Sequence, residues 1–303
     1  MRFFILGGTG FVGQALIPFL LDEQHDVEVL IRDPAQKNLF PRSCSWHQGD
    51  PLQPGDWQDR AGEAEVIVNL VGKNIMTRWT PQVKNALLQT RIQPTRMAVQ
   101  AIENGPHAKP VLINANAVGY YPLESKSPMT EDSPQGSSFL ARICGEWQRE
   151  AEKAAQFGSR VVVARFAPVL GRGGGVIENL LPVFSKGLGG RVGNGRQAFP
   201  WIHIQDLVRA IAFAAQTAAL SGPVNMCAPE QISNRGFTRA LARALKRPSL
   251  FPVPGPVLKM VYGELAQMLL KGAPVVPRAL EKAGFDFSFP TIEQALENLF
   301  TES

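Results

Sequence analysis

A run of glycines near the amino terminus is the densest grouping of residues suited to chemistry in this 303-residue chain: residues 7–13 read GGTGFVG. Gly7, Gly10 and Gly13 give the spacing GxxGxxG, and Gly8, Gly10 and Gly13 give GxGxxG at the same time. Residues without a Cβ let the backbone turn tightly and approach a bulky anion. A helix starting there turns its unpaired N–H groups and partial positive charge toward that anion. The implied chemistry is recognition of phosphate, with Gly7, Thr9, Gly10, Phe11, Val12 and Gly13 forming the cradle. Other reactive types do not gather in this way. His25, His47, His107 and His203 form no HxxxH or HxH pair, and Cys44, Cys144 and Cys227 form no CxxC pair, so no metal site is expected. Three widely spaced thiols are expected to stay free in a reducing compartment.

Such a cradle works only directly after a strand and at the opening of a helix. Residues 2–6 (RFFIL) read as a short buried strand, and 11–21 as a helix with Ala15, Leu16, Phe19 and Leu20 on one face. Further strands are expected at 26–31, 43–48, 65–70, 110–114 and 160–166, with a polar helix before the fourth strand and long helices at 82–103 and 139–156. Strands alternating with helix-length segments predict an α/β fold, a doubly wound parallel sheet of the Rossmann type. After Phe166 the pattern changes. Segments 171–175 and 187–195 are Gly-rich and read as loops, 206–217 and 234–246 read as helices, and 248–256 (PSLFPVPGP) is a Pro-rich connector. We therefore expect a nucleotide-binding core over 1–170, with segments around 200–230 returning to it. The substrate-side segments and a smaller, mainly helical C-terminal lobe span 171–303, and that lobe is distinct from about residue 250.

Composition narrows the class. With 45% hydrophobic and 19% charged residues, the chain is neither disordered nor collagenous, and three cysteines make no disulfide scaffold. The formal charge of +5 is mild for the length, and no basic block is available to track a nucleic-acid backbone. The uncharged run 3–21 has the length of a membrane span, but four glycines and Pro18 divide it into strand, turn and helix. A cytoplasmic protein with a small-molecule substrate is expected, without nucleic-acid or membrane partners.

The second strand decides which dinucleotide suits the cradle. NAD binders usually end this strand with Asp or Glu, which accepts hydrogen bonds from the ribose hydroxyls. Here it ends VLIRDP, so Ile31 stands at the acidic position and Arg32 follows. An aliphatic side chain cannot accept those bonds, whereas a guanidinium can pair with a 2′-phosphate. NADP(H) is the expected cofactor. Asp33 is the competing residue, unless it only shapes the turn before Pro34.

These motifs occur in an order that resembles a known family. GGTGFVG, Gly49–Asp50, VNLVG at 68–72, INANAVGYY at 113–121, RFAPVLGRGG at 165–174 and WIHIQDL at 201–207 are similar to those of the extended short-chain dehydrogenases/reductases. The branch most resembled is the "epimerase family protein" group, which carries a C-terminal domain of unknown function. The stretch LPVFSKGLGGRVGNGRQ and the tail from about Pro252 resemble that branch. The resemblance implies that Asp50 contacts adenine and that Leu70, Val71 and Gly72 line the ribose–nicotinamide side. It also implies a polar cofactor contact from Arg91 and a loop against the nicotinamide formed by Ala167, Pro168 and Val169.

The same resemblance exposes a departure. Extended reductases use a Tyr-xxx-Lys pair with a Ser or Thr, the Lys tuning the Tyr for proton transfer. No YxxxK occurs among the three tyrosines, Tyr120, Tyr121 and Tyr262. By alignment on FLARICGEW the pair falls near Phe139 and Ile143, and the Ser position falls near Asn116. Asn116, Tyr120 and Tyr121 remain as candidate catalytic groups, with Lys73 as a possible cation for either tyrosine. His203 and Asp206 (HIQD) suggest a dyad, although Asp206 also suits a helix N-terminus. The sequence thus supports an NADP-dependent oxidoreductase or isomerase of non-standard mechanism, or alternatively a non-catalytic NADPH-binding sensor.

Overall fold

The structure, a computed structural model, describes residues 1–106 and 109–301, so His107 lies outside the described residues. Strand β1 (Arg2–Leu6) leads through the glycine turn into α1 (Phe11–Asp22). Strands β2 (Asp26–Ile31) and β3 (Ser45–Gln48) follow, then α2 (Trp57–Gly62), β4 (Val66–Asn69) and the long α3 (Pro81–Asn104). Strand β5 (Val111–Ala117), α4 (Phe139–Glu152) and β6 (Val161–Phe166) complete the alternation read from the sequence. Strand β3 begins at Ser45 rather than Ser43, and α4 gives way at Lys153 to a 3-10 turn ending at Phe157.

Beyond Phe166 the structure holds more order than the glycines suggest. A short β7 (Val169–Gly171) pairs in parallel with β8 (Ile202–His203), and α5 (Gly175–Phe184) opens inside the first Gly-rich segment. Helix α6 (Ile204–Gln216) then delivers β9 (Gly222–Met226) to the free edge of β6. The sheet is parallel throughout, in the order β3-β2-β1-β4-β5-β6-β9. Strand order reverses between β1 and β4, and this switch point is where open α/β sheets hold ligands. Among the described residues no helix is long and apolar enough to cross a membrane.

The remaining helices are α7 (Asn234–Ala244), α8 (Gly255–Tyr262), α9 (Ala266–Leu270), α10 (Arg278–Lys282) and α11 (Ile292–Thr301). They pack back on the body of the protein. Leu280 of α10 and Phe285 join the core that holds Ile211, Val224 and Met226. Ile292, Leu296 and Leu299 of α11 pack with Phe237 and Leu241 of α7 and with Phe184 of α5. Asp206 fastens this return: Oδ1 accepts from the Ser288 N–H at 2.9 Å and Oδ2 from the Phe289 N–H at 2.9 Å. Both carboxylate oxygens therefore serve the tail, and a His203–Asp206 dyad does not form.

Candidate active site

The glycine turn sits at the carboxyl end of β1 beside the end of β4. Gly7 adopts φ +79°, and a Cβ there would lie 2.9 Å from both the Leu70 carbonyl carbon and the Val71 nitrogen. Only glycine permits that conformation together with that approach. Gly13 faces inward: its Cβ would lie 2.4 Å from the Gly8 oxygen, so helix and turn are in backbone contact. Gly10 differs, since the nearest atom to its Cβ is the Gly7 oxygen at 3.3 Å, leaving open space on the cleft side. Helix α1 starts with no side-chain cap and no acidic residue in its first turn. Its N–H groups are free to receive an anion.

From this turn a cleft of about 1220 Å³ runs across the carboxyl ends of the strands. Gly7, Gly10, Phe11, Val12 and Gly13 line one end, Leu70, Gly72 and Arg91 the middle, and Asn116, Ala167 and Val169 the wall nearest β5 and β6. Val71 instead packs against the core beneath the sheet. Thr9 lies in the turn, where its carbonyl accepts from Gln14 Nε2 at 2.8 Å. Leu180 and Phe184 from α5 and Phe199 and Phe237 also line the cleft, together with the polar Asn179, Gln197, Asn234 and Thr238.

At the end of β2, Arg32 is exposed, while Asp33 turns its carboxylate back to accept from the Ala35 N–H at 2.9 Å and caps the turn Pro34–Leu39. The acid that competes for a ribose is thus engaged locally. Asp50, after β3, accepts from the Leu52 N–H at 3.0 Å and stays partly exposed.

Arg91 is fixed by two backbone carbonyls: Nη1 donates to Leu87 O at 2.9 Å and Nη2 to Lys73 O at 3.0 Å. Its guanidinium lies 5.3 Å from the Trp147 ring centre, and no carboxylate pairs with it among the described residues. Burial pulls its pKa down, yet an arginine remains charged at neutral pH. Trp147 in turn donates to Thr95 Oγ1 at 2.8 Å. The Asn69 amide donates to Thr95 Oγ1 at 3.0 Å and to Asn114 Oδ1 at 2.8 Å. These buried polar groups tie β4, β5, α3 and α4 together under the cleft. Asparagine following an apolar run within a strand, at the end of β4 (VIVN) and midway along β5 (VLINANA), is the sequence signal that would have revealed this network.

The candidate proton-transfer groups are largely engaged elsewhere. Tyr121 is buried; its hydroxyl donates to Asn225 Oδ1 at 2.6 Å and accepts from Arg165 Nη1 at 2.7 Å. Burial, only partly countered by Arg165, pushes its pKa up to about 12. Tyr121 and Lys73 both border the cleft, but the Tyr121 hydroxyl bonds Asn225 and Arg165 and not Lys73. Tyr120 lies with its ring 3.7 Å from the Arg165 guanidinium and is not part of the cleft wall. Asn116 borders the cleft, but its amide nitrogen donates to Cys144 O at 3.0 Å and its oxygen accepts from the Ala117 N–H at 2.8 Å.

Helix α4 presents one face to the cleft. It turns Leu140, Cys144 and Trp147 to the cleft, whereas Phe139 packs on Trp79 and Ile143 faces the core. One residue is about 100° of helical rotation, so Leu140 and Cys144 border the cleft where Phe139 and Ile143, the positions read from the sequence, do not. Burial pushes the Cys144 thiol up to about 12, which keeps it protonated.

Residues 3–227 match the NAD dependent epimerase/dehydratase family, and residues 253–299 match a domain of unknown function, DUF1731. The chain belongs to the NAD dependent epimerase/dehydratase family. Within it, the chain is 38% identical to epimerase family protein Mb2239 of Mycobacterium bovis, covering 96% of this chain and 95% of that protein. It is 36% identical to mouse epimerase family protein SDR39U1, covering 99% of both. The crystal structure of human SDR39U1 (isoform 2) with NADPH superposes with a TM-score of 0.87 at 30% identity, covering both chains fully. UDP-glucuronic acid 4-epimerase from Bacillus cereus, at 16% identity and a TM-score of 0.79, shares the fold.

Proposed function

We propose that this family member binds NADP(H) and acts as an oxidoreductase in which hydride transfer proceeds without a side-chain acid of the Tyr-xxx-Lys type. The observation that carries the reading is the α4 face turned to the cleft, which presents Leu140 and Cys144 and neither a tyrosine nor a lysine. Epimerisation by the usual route needs that donor; hydride transfer needs only the nicotinamide and an oriented acceptor. The residues present suit the cofactor. The uncapped α1 terminus and open Gly10 suit the pyrophosphate, exposed Arg32 suits a 2′-phosphate, and the NADPH bound by human SDR39U1 supports the same choice. Arg91, held flat by two carbonyls, would position the ribose–nicotinamide half. When bound, the cofactor supplies or takes the hydride. The chain orients it, and the proton that completes reduction of a carbonyl or quinone is taken from water in the cleft.

Wild type should bind NADPH more tightly than NADH, and Arg32→Ala should remove the difference. Loss of a charge-assisted phosphate contact costs about 1.5–3 kcal/mol, or roughly one to two decades in affinity. Calorimetric titration of both cofactors checks this, and equal wild-type affinities would refute the cofactor assignment. A panel of aldehydes, ketones and quinones with NADPH then tests the reaction. The engagement of Tyr121, Asn116 and Cys144 also favours a second reading, an NADPH sensor without chemistry. Tight binding with no turnover on any carbonyl or quinone would favour that reading.

A further inference from the structure

The chain's positive charge is concentrated in one place. Residues 179–205 and 231–263 hold nine of the 31 Lys and Arg and none of the 26 Asp and Glu, so these 60 residues carry +9 and the rest of the chain −4. The large hydrophobic side chains left in solvent concentrate in the same two segments. Leu250 (75% exposed), Phe251 (56%) and Met260 (76%) are accompanied by Leu188, Val257 and Val261, all exposed.

The two segments meet. Val192 bridges to Val253, a Cβ on Gly190 would strike the Phe251 oxygen, and Gly187 lies against Pro248. Leu188 is thus brought beside the strand that carries Leu250 and Phe251. Helix α8 continues that edge, with Val257, Met260 and Val261 on one side at helical spacing and buried Leu258 on the other. Lys246, Arg247 and Lys259 lie within the same stretch.

We propose that this face docks on an anionic lipid surface. A chain rarely leaves so many large apolar side chains exposed together without a partner for them. Apolar residues interleaved with cations, and no acid among them, match the boundary between acyl chains and negative headgroups. A second copy of this chain fits poorly, because the face would meet its own positive charge. Helix α5 separates the face from the cleft: Leu180 and Phe184 line the cleft, while Leu181 and Val183 are exposed on the outer side. Docking would therefore bring the α5 side of the cleft close to the membrane surface.

The test is flotation of the full chain with vesicles of equal parts phosphatidylcholine and phosphatidylglycerol, against vesicles of phosphatidylcholine alone. Wild type should float only with the anionic vesicles, and added salt should release it. A surface cation is worth about fivefold in partitioning, so the triple variant Lys246→Gln, Arg247→Gln, Lys259→Gln should lose on the order of a hundredfold. The triple variant Leu250→Ser, Phe251→Ser, Met260→Ser should also detach, with an unchanged thermal midpoint and NADPH affinity showing that it remains folded. Three results would overturn the proposal: no flotation of wild type, flotation indifferent to the apolar triple, or light scattering that reveals a dimer dissolved by Met260→Ser.

Discussion

Gly10 and Gly13 lie three residues apart in the same turn yet are glycines for different reasons. At Gly10 the one atom near a Cβ would be the Gly7 oxygen at 3.3 Å, so a larger residue costs the fold less than at Gly13 and obstructs whatever anion sits there. At Gly13 the Cβ would strike the Gly8 backbone at 2.4 Å. We expect Gly10→Val to retain its thermal midpoint within a few degrees while NADPH affinity falls by two decades or more. Gly13→Val should lose stability first, because backbone cannot yield as a flexible side chain can. Midpoints from thermal scans, read beside cofactor titrations, separate the two. An unchanged affinity in folded Gly10→Val would place the pyrophosphate elsewhere. Thr95 is a second decisive position, since its hydroxyl accepts from both Trp147 and Asn69. Thr95→Val keeps the shape and strands two buried donors, each costing about 1–3 kcal/mol. Urea unfolding should show a loss of about 2–4 kcal/mol.

Among the elements, α4 governs what chemistry is open to the site. Its cleft face is set by the packing of Phe139 on Trp79 at 5.2 Å and of Ile143 in the core. Leu140→Tyr with Cys144→Lys should therefore introduce weak carbonyl reduction, whereas Phe139→Tyr with Ile143→Lys should introduce none. A positioned acid is worth about 10²–10⁴-fold, so even a partial effect is measurable as NADPH oxidation with a simple aldehyde. The new lysine is expected to lower stability, because Cys144 is buried and burial disfavours its charge. Equal activity in the two double variants would mean that neither places the phenol over the nicotinamide.

For the whole molecule, His203 links stability to pH. It stands at the start of α6, accepts from the Gln205 N–H at 3.2 Å through Nδ1, and packs 4.0 Å from the Phe289 ring of the returning tail. Burial, only partly offset by the Asn298 side chain, pulls its pKa to about 4 from an ordinary value of 6.5. The unfolded chain therefore takes up a proton below pH 6.5 that the folded chain refuses until about pH 4. Folding stability should fall across that window by on the order of 3 kcal/mol and should not depend on this group above it. Urea midpoints at pH 7, 6 and 5 would show the slope. His203→Asn keeps an N-cap acceptor and should flatten it, whereas a slope that persists would assign the proton uptake to other groups.

The sequence by itself determined the parallel sheet and the glycine turn between strand and helix, and it set the expectation of a phosphate-bearing ribose. Each rests on local rules: alternating apolar runs, residues without a Cβ between strand and helix, and Ile31–Arg32 where an acid is usual. It also reported, through the missing YxxxK, that the standard proton relay is not encoded. Tertiary structure decided which side chains meet. Which face of α4 meets the cleft depends on what packs behind the helix, and no spacing rule records that. The engagement of Tyr121 depends on Arg165 and Asn225, 44 and 104 residues away in sequence. The HIQD segment resembles a dyad in sequence, but Asp206 turns to N–H groups 82 and 83 residues further on because the tail folds back there. The basic, apolar face likewise exists only because residues 187–192 are laid beside 248–253. Hydrogen bonds and contacts between segments far apart in sequence are fixed by packing geometry, and pattern along the chain carries no record of them.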